Sequence, residues 1–247
     1  MATILITGAT SGIGEALANL CAKAGHAVIA CGRNEQKLAE LAQIENISIC
    51  CFDVTDEQAT KAALADIECD MAVLNAGTCE YVEINDVEPD MFKRVFDANV
   101  FGVINVVSAL IPVLKPGNKI VFVDSLARLL PFPKSQAYGA SKAALNYIAK
   151  SFEVDLAHNG IQVQTLTPGF VKTPLTDKND FSMPMVISAE AAAKYMLKGI
   201  FSSRSSVYFP KRFSFIVRLL AFLPEGLQKR ICINMRQQPK TKREKAQ

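Results

Sequence analysis

The chain of 247 residues carries a formal net charge of +3, half of its residues are apolar and 21% are charged. This composition is typical of an ordinary folded, soluble protein with one large α/β domain or two small ones. No run of about 20 consecutive apolar residues occurs, so no conventional membrane-spanning helix is expected.

The cysteines and histidines argue against a metal centre. No Cys-x-x-Cys pair occurs, and the only histidines, His26 and His158, are far apart in the sequence. Zinc sites normally need closer ligand spacing, so no metal is expected. The chain starts with no basic leader, which predicts a cytoplasmic protein with reduced thiols. Four cysteines in apolar segments are interpreted as core packing: Cys21, Cys31, Cys50 and Cys51.

Short apolar runs are the predicted strands. Several are continuously apolar, which suits strands buried on both faces of a parallel sheet. In chain order they are Ala2–Ile6, Ala27–Cys31, Ile47–Phe52, Met71–Leu74, Lys119–Val123, Ile161–Leu166 and Ser206–Phe209.

Longer segments between these runs are the predicted helices. They are Gly12–Ala24, Glu35–Gln43, Glu57–Ala65, Pro89–Leu114, Gln136–His158 and Ala189–Ile200. The alternation predicts an α/β fold, a doubly wound, mostly parallel, seven-stranded sheet of the Rossmann type flanked by helices. We expect one domain over residues 1–209 and a helical C-terminal extension over residues 210–247.

Three glycines follow the first predicted strand, at Gly8, Gly12 and Gly14. Glycine permits tight turns and close approach of a ligand, and the helix that follows offers free N–H groups to a pyrophosphate. A purely structural turn could use the same glycines. Their place after the first strand of a βαβ unit favours dinucleotide binding.

The end of the second predicted strand indicates which dinucleotide is bound. An NAD site normally has an acidic residue there, but this stretch contains Arg33 and no carboxylate. An arginine suits the 2′-phosphate of NADP(H), which we expect to be favoured over NAD(H). The alternative is a surface arginine that opens a helix. Asp53, after the third strand, is placed to meet an adenine amino group or to cap the helix near Glu57.

Tyr138 and Lys142 lie four residues apart in a predicted helix and therefore share one face. An adjacent cation favours the phenolate, so Lys142 is expected to lower the pKa of Tyr138 from its ordinary value of about 10. Such a tyrosine can exchange a proton with a substrate near neutral pH. The same spacing also occurs on solvated helix faces.

Together these motifs resemble the classical short-chain dehydrogenase/reductase family over roughly Ala2 to Phe209. The glycine turn matches the family pattern Thr-Gly-x-x-x-Gly-x-Gly, and Ser125 lies thirteen residues before Tyr138. Asp124, before that serine, departs from the more usual Ser-Ser. The other matching elements are Asp53-Val54, Asn75-Ala76-Gly77, Asn99, Pro168-Gly169 and Thr173.

The resemblance implies hydride transfer between a nicotinamide and a carbonyl or secondary alcohol. Tyr138 is expected to act as general acid/base, and Ser125 to hydrogen-bond the carbonyl oxygen. Lys142 is expected to hold the nicotinamide ribose, and Asn99 a water that passes protons to solvent. Simpler alternatives are a strand-end cap for Ser125 and a polar group at a helix kink for Asn99. The implied cofactor-binding residues are Gly8, Thr10, Ser11, Gly12, Ile13, Gly14, Arg33, Asp53, Val54, Asn75, Ala76, Gly77, Tyr138, Lys142, Pro168, Gly169, Val171 and Thr173.

The resemblance also implies a homodimer or homotetramer formed through the helices predicted at Pro89–Leu114 and Gln136–His158. The substrate-side loops are apolar, which favours an apolar carbonyl or alcohol as substrate. These loops contain Leu126, Leu129, Leu130, Pro131, Phe132, Phe170, Val171, Pro174 and Leu175, with Phe181, Met183, Met185 and Val186 in a predicted lid.

The C-terminus holds the basic excess. Residues 204–247 contain eleven Lys/Arg and two acidic residues, against sixteen and twenty-two in the rest of the chain. Apolar residues flanked by cations over 210–236 predict either an interfacial helix on anionic lipid, at the inner membrane face, or a helix packed on the domain or on a neighbouring subunit. Lys240–Lys245 is interpreted as a solvated tail, and no nucleic-acid partner is expected.

Our leading hypothesis is an NADP(H)-dependent carbonyl reductase or alcohol dehydrogenase. One alternative is a sensor or regulator that binds NADP(H) with little turnover. Another is a membrane-peripheral scaffold whose C-terminus carries the function.

Overall fold

The computed structural model describes residues 1–177 and 183–236. Nine strands lie in these ranges: β1 Thr3–Thr7, β2 Ala27–Gly32, β3 Ile47–Cys51, β4 Met71–Leu74, β5 Lys119–Val123, β6 Gln162–Pro168, β7 Val171–Lys172, β8 Ile187–Ser188 and β9 Ser206–Phe209. The α-helices of the same ranges are α1 Gly12–Lys23, α2 Glu35–Leu41, α3 Glu57–Leu64, α4 Pro89–Phe96, α5 Gly102–Leu110, α6 Gln136–Leu156, α7 Ala189–Ile200, α8 Lys211–Ala221 and α9 Glu225–Arg236.

Seven strands form one parallel sheet in the order β3-β2-β1-β4-β5-β6-β9, which confirms the predicted Rossmann-type fold. The strand order reverses between β1 and β4. In such sheets the crevice at the carboxyl ends of those two strands is where ligands bind. The sheet therefore places the loops after β1 and β4 beside each other.

A hydrophobic cluster covers each face of the sheet. Leu17 of α1 and Met196 of α7 are fully buried on one face. Val107 of α5 and Leu145 of α6 are buried on the other. Each such side chain contributes about 1.5–3 kcal/mol relative to full exposure. The two layers hold the central strands rigidly, so the loops at the strand ends have a fixed frame.

The helix predicted at Pro89–Leu114 is present over Pro89–Val113, but it is not α-helical throughout. A π-helical turn over Asp97–Phe101 separates α4 from α5, and a 3₁₀ turn over Ile111–Val113 follows. Pro112 has no N–H to continue the α-helical pattern, which accounts for the end of α5. The whole stretch is long and apolar enough to cross a membrane by length and composition alone. Its valines on α5 nevertheless pack in the core under the sheet.

Strand β3 is less buried than its sequence predicted. It lies at the edge of the sheet, and both Ile49 and Cys51 are exposed. An edge strand has one neighbour and incomplete helix cover, so core packing is the wrong interpretation for Cys51. Cys21 and Cys31 are buried as predicted.

The C-terminal extension forms two helices, α8 and α9, where the sequence indicated one. Phe213 and Val217 of α8 and Cys232 of α9 are buried together with Leu126 and Leu130. We call these five residues the α8 cluster. The alternative of a helix packed on the domain is therefore confirmed for the inner face of α8. Strands β7 and β8 were not predicted, because two-residue strands leave no periodic pattern.

Candidate active site

The glycine turn after β1 is shaped for close backbone approach. Gly8 and Gly12 have positive φ angles of 66° and 57°, which favour glycine. A Cβ on Gly14 would lie 2.2 Å from the carbonyl oxygen of Gly8. Ser11 is the N-cap of α1, and its side chain makes no capping hydrogen bond. No side chain of the N-cap therefore covers the start of α1, and pyrophosphate binding there stays a prediction.

The Asn-Ala-Gly segment after β4 lies directly beside this turn. The backbone N–H groups of Asn75 and Ala76 both donate to Thr7 Oγ1 at 3.0 Å. A Cβ on Gly8 would lie 2.9 Å from Ala76 Cα. The segment thus supports the central sheet, as the resemblance implied.

The Pro-Gly-x-x-x-Thr segment closes the turn from another side. A Cβ on Gly12 would lie 3.2 Å from Thr173 Cγ2. Pro168 ends β6 beside Phe209, and the Val171 carbonyl accepts from Thr176 Oγ1 at 2.7 Å. Three segments that are distant in sequence therefore meet at the carboxyl ends of the strands.

Smaller contacts place the remaining predicted cofactor residues. A Cβ on Gly32, at the end of β2, would lie 2.6 Å from Thr10 Cγ2. Ile13 packs against the core under α1. Val54 lies 2.8 Å from the Cβ position of Gly102 at the start of α5. The glycine turn is thereby joined to the end of β2, and the segment after β3 is joined to α5.

Arg33 and Asp53 form an ion pair at the carboxyl ends of β2 and β3. Arg33 Nη1 lies 3.0 Å from Asp53 Oδ2, and the Arg33 side chain is 79% exposed. Desolvation opposes ionisation of Asp53, but hydrogen bonds from Thr55 and Arg33 outweigh it and lower the pKa of the carboxyl. Asp56 caps α3 instead, accepting from Ala59 at 2.9 Å. The helix-cap alternative for Asp53 is therefore wrong.

Three predicted catalytic side chains lie together above β5. The hydroxyls of Tyr138 and Ser125 share a hydrogen bond. Ser125 also accepts from the Ala127 N–H at 3.1 Å, so it does cap a short 3₁₀ turn. Lys142 Nζ lies 5.9 Å from the centre of the Tyr138 ring and donates to the Val123 carbonyl at 2.9 Å. A hydroxyl pair beside a buried amine can position a carbonyl oxygen and deliver a proton to it.

The expectation that Lys142 lowers the pKa of Tyr138 is not met in this structure. Burial raises the pKa of Tyr138 above its ordinary value, and the hydrogen bond from Ser125 only partly opposes this. Burial also lowers the pKa of Lys142 from 10.5 to about 8. The amine is held on the Val123 carbonyl. Tyr138 is thus a neutral phenol that still carries its proton.

Asn99 lies in the π-helical turn and is fully buried. Its Oδ1 accepts from the Thr78 N–H at 2.7 Å, and its Nδ2 donates to the Thr78 carbonyl and to Ser141 Oγ, both at 2.9 Å. A Cβ on Gly77 would lie 2.7 Å from Asn99 Oδ1. Asn99 is therefore a polar group at an irregular turn of the helix, as the simpler alternative held. Such π-helical turns are frequent at functional sites. The water-holding role stays a prediction.

Asp124 is a site residue whose importance the sequence did not show. Its buried carboxylate accepts from Arg128 Nε at 2.6 Å, Asn146 Nδ2 at 2.9 Å and Thr167 Oγ1 at 3.3 Å. It also accepts from the backbone N–H of Ser125. Desolvation raises the pKa of Asp124, although Arg128 opposes this. These contacts fix Asp124 and with it the start of the loop that carries Ser125.

The same network reaches the C-terminal extension. Arg128 Nη2 donates to the Tyr208 hydroxyl at 3.2 Å, and the Arg218 guanidinium of α8 lies 4.5 Å from the centre of the Tyr208 ring. Packing of α8 is therefore linked to the loop that carries Ser125.

Cys79 is a second residue that the sequence analysis missed. It lies close enough to Tyr138 and Lys142 to affect their electrostatics, and burial raises its pKa to about 11. Its position two residues after Asn-Ala-Gly is the feature that could have revealed it. At neutral pH it is an uncharged thiol beside the proton donor.

Comparisons with known proteins agree with this geometry. The profile of the family described as "short chain dehydrogenase" matches residues 2–182. An uncharacterized oxidoreductase of Myxococcus xanthus is 33% identical over 237 residues, covering 91% of this chain and 94% of its own. A 3beta-hydroxysteroid dehydrogenase of Mediterraneibacter gnavus is 36% identical over 188 residues, covering 71% of this chain and 68% of its own. A short chain dehydrogenase from Burkholderia cenocepacia, solved in complex with NADP, aligns with a TM-score of 0.83 at 22% identity, covering 93% of this chain and 97% of its own.

Proposed function

This chain belongs to the short-chain dehydrogenase/reductase family, and we propose that it reduces an apolar carbonyl compound with NADPH, or runs the reverse oxidation. The observation that carries the proposal is the cluster of Ser125, Tyr138 and Lys142, whose amine lies 3.7 Å from the Cβ position of Gly77 in the Asn-Ala-Gly segment. A sensor would not need a buried proton donor at that place.

The dinucleotide fits the residues present. The glycine turn leaves no room for side chains, and the exposed Arg33 is free on its outer side to meet a 2′-phosphate. A bound NADPH would supply the hydride that goes to the carbonyl carbon. Lys142 would hold ribose hydroxyls after leaving the Val123 carbonyl.

Proton transfer is the task of the chain's own residues. Ser125 donates to the carbonyl oxygen and stabilises negative charge as it develops there. Tyr138 then gives its proton to that oxygen. Burial keeps the phenol protonated, so the proton needed for the reductive direction is present before the hydride arrives. An alkoxide is a far stronger base than a phenolate, so the transfer runs downhill.

An apolar substrate is supported by the loops around the serine. Leu126 and Leu130 are buried in the α8 cluster, so they form the floor of that region rather than its open surface. Leu129, Phe132 and Phe170 pack on them and are only partly buried. The hydroxysteroid activity named for one relative is consistent with this substrate class. Of the predicted lid, Met185 and Val186 are exposed, and Phe181 lies outside the described residues.

Three further parts of the sequence analysis stay predictions. These are the homodimer or homotetramer, the domain boundary after Phe209 and the cytoplasmic location. Exposed apolar side chains on the proposed interface helices support self-association; they are Phe101, Tyr147 and Val154.

The Arg33→Ala variant tests the cofactor assignment. Loss of a charge-assisted contact should weaken NADPH binding about tenfold to a hundredfold and leave NADH binding unchanged. Dissociation constants from cofactor fluorescence titration measure both. Lys37→Ala removes a nearby exposed cation and serves as the matched control. An equal loss for NADPH and NADH would show that Arg33 does not read the 2′-phosphate.

A panel of apolar ketones, aldehydes and 3-oxoacyl thioesters tests turnover. We expect NADPH oxidation with at least one compound class. Tight NADPH binding without turnover on any of them would favour the sensor.

A further inference from the structure

The outer face of α8 is apolar and exposed. Phe215, Leu219 and Phe222 are 67%, 57% and 84% exposed. Their spacing of four and three residues places them on one side of the helix. Large contiguous apolar groups on a surface mark an interaction site.

Cations flank this apolar face. Lys211 and Arg212 are both exposed in the first turn of α8, which contains no acidic residue. The N-terminus of a helix has a partial positive charge, so cations there reduce helix stability. Their placement is therefore unfavourable for α8 itself but suits a negatively charged partner.

The inner face fixes the helix to the domain. Phe213 and Val217 are buried in the α8 cluster, and Arg218 is held over the Tyr208 ring. The helix is consequently presented as a rigid amphipathic surface, with the apolar groups and cations on the same outward side.

We propose that α8 docks this protein on anionic lipid membranes. Phe215, Leu219 and Phe222 enter the boundary between headgroups and acyl chains, and Lys211 and Arg212 contact the lipid phosphates. The helix lies in the plane of the membrane surface. This binding is independent of the proposed catalytic activity.

A second copy of the chain fits this face less well. A twofold interface would pair the patch with itself and bring the two sets of cations together. Residues 211–222 contain no Asp or Glu that could neutralise them. An anionic lipid surface provides the missing negative charge.

Co-sedimentation of the full chain with vesicles tests the proposal. We expect binding to phosphatidylcholine vesicles that contain phosphatidylglycerol, with weaker binding at high salt and to phosphatidylcholine alone. K211Q/R212Q should weaken binding about tenfold or more, since each cation contributes about 1 kcal/mol. F215S/L219S/F222S should weaken it to a similar extent, since it removes the apolar groups that enter the membrane.

Matched variants elsewhere control for charge and exposed apolar area. K194Q/K198Q on α7 and I84S/V87S in the segment before α4 should bind vesicles like the wild type. Unchanged thermal unfolding and NADPH binding show that each variant is folded.

Three results would overturn the proposal. One is no binding of the wild type to anionic vesicles at low salt. Another is binding by the α8 variants as tight as that of the wild type, which would assign it to another segment. The third is a wild-type protein that binds no vesicles but forms an oligomer, which the F215S/L219S/F222S substitutions dissociate.

Deletion of residues 213–247 is not a suitable test. It would remove Phe213 and Val217 and expose the rest of the α8 cluster next to Ser125. Substitutions on the outer face avoid this damage.

Discussion

Among the single residues Ser125, Tyr138 and Lys142, the lysine is the one whose charge responds to pH in the working range. Burial lowers its pKa to about 8, so the amine is charged below that pH and neutral above it. Tyr138, whose pKa burial raises, stays protonated throughout the same range. The pH dependence of the free enzyme should therefore report Lys142.

We predict that kcat/KM for carbonyl reduction falls as pH rises through about 8, because a neutral amine no longer favours the developing negative charge. Initial rates of NADPH oxidation across a pH series measure this. A kcat/KM that stays constant well above that pH would show that the charge of Lys142 is not needed.

Asp124 is the second residue with a measurable role. Arg128 is only 13% exposed and depends on this carboxylate for its charge partner. We predict that Asp124→Ser lowers the free energy of unfolding by about 3 kcal/mol, because it leaves a largely buried cation without its partner. Urea unfolding followed by circular dichroism measures the loss.

The double variant D124S/R128L provides the control. Removing both charges should cost clearly less than the sum of the two single losses, since the unpaired charge is gone. Strictly additive losses would mean that the pair makes no joint contribution to stability.

Among the secondary-structure elements, the contact between the glycine turn and α1 is the tightest near the site. A Cβ on Gly14 would meet the Gly8 carbonyl oxygen at 2.2 Å, and backbone cannot yield as a side chain can. We predict that Gly14→Ala moves α1 away from the turn, weakens NADPH binding and costs about 1–3 kcal/mol of stability. Cofactor titration and urea unfolding measure the two effects.

Gly226→Ala is the matched control, because that helical glycine has no heavy atom within 4 Å of its Cβ position. It should gain about 0.5–1 kcal/mol from the better helix former. Equal NADPH affinity and equal stability of the Gly14→Ala and Gly226→Ala variants would contradict a special role for the glycine turn.

The elements with a strong local pattern could be predicted from sequence. The strands Met71–Leu74, Lys119–Val123 and Ser206–Phe209 and the helix Ala189–Ile200 have the predicted bounds, because apolar runs and helical periodicity mark them directly. The glycine turn was equally clear, since its φ angles require that residue type.

Features that depend on tertiary contacts could not be predicted. Asn99 in the π-helical turn makes its hydrogen bonds to Thr78, twenty-one residues earlier. The environment of Asp124 is assembled from a loop, a helix and a strand. The raised pKa of Tyr138 is a consequence of burial, which a four-residue spacing does not reveal.

At the scale of the whole molecule, the reversal of strand order brings the residues of the candidate site together. Loops after β1, β4 and β6 meet at one sheet edge, and α6 brings Tyr138 and Lys142 to the end of β5. The α8 cluster then ties the C-terminal extension to the loop after Ser125. The fold thus joins the proposed cofactor site, the proposed proton donor and an outward-facing amphipathic helix.

The most direct test of the central claim is the rate of NADPH oxidation by the wild type and by Tyr138→Phe with the best carbonyl substrate. The account predicts that the variant loses about 10²- to 10⁴-fold in kcat, because the proton donor is gone, while NADPH affinity is retained. Tyr147→Phe removes the same hydroxyl group from an exposed tyrosine of the same helix and is the comparison variant. Turnover by Tyr138→Phe at the wild-type rate would contradict the account.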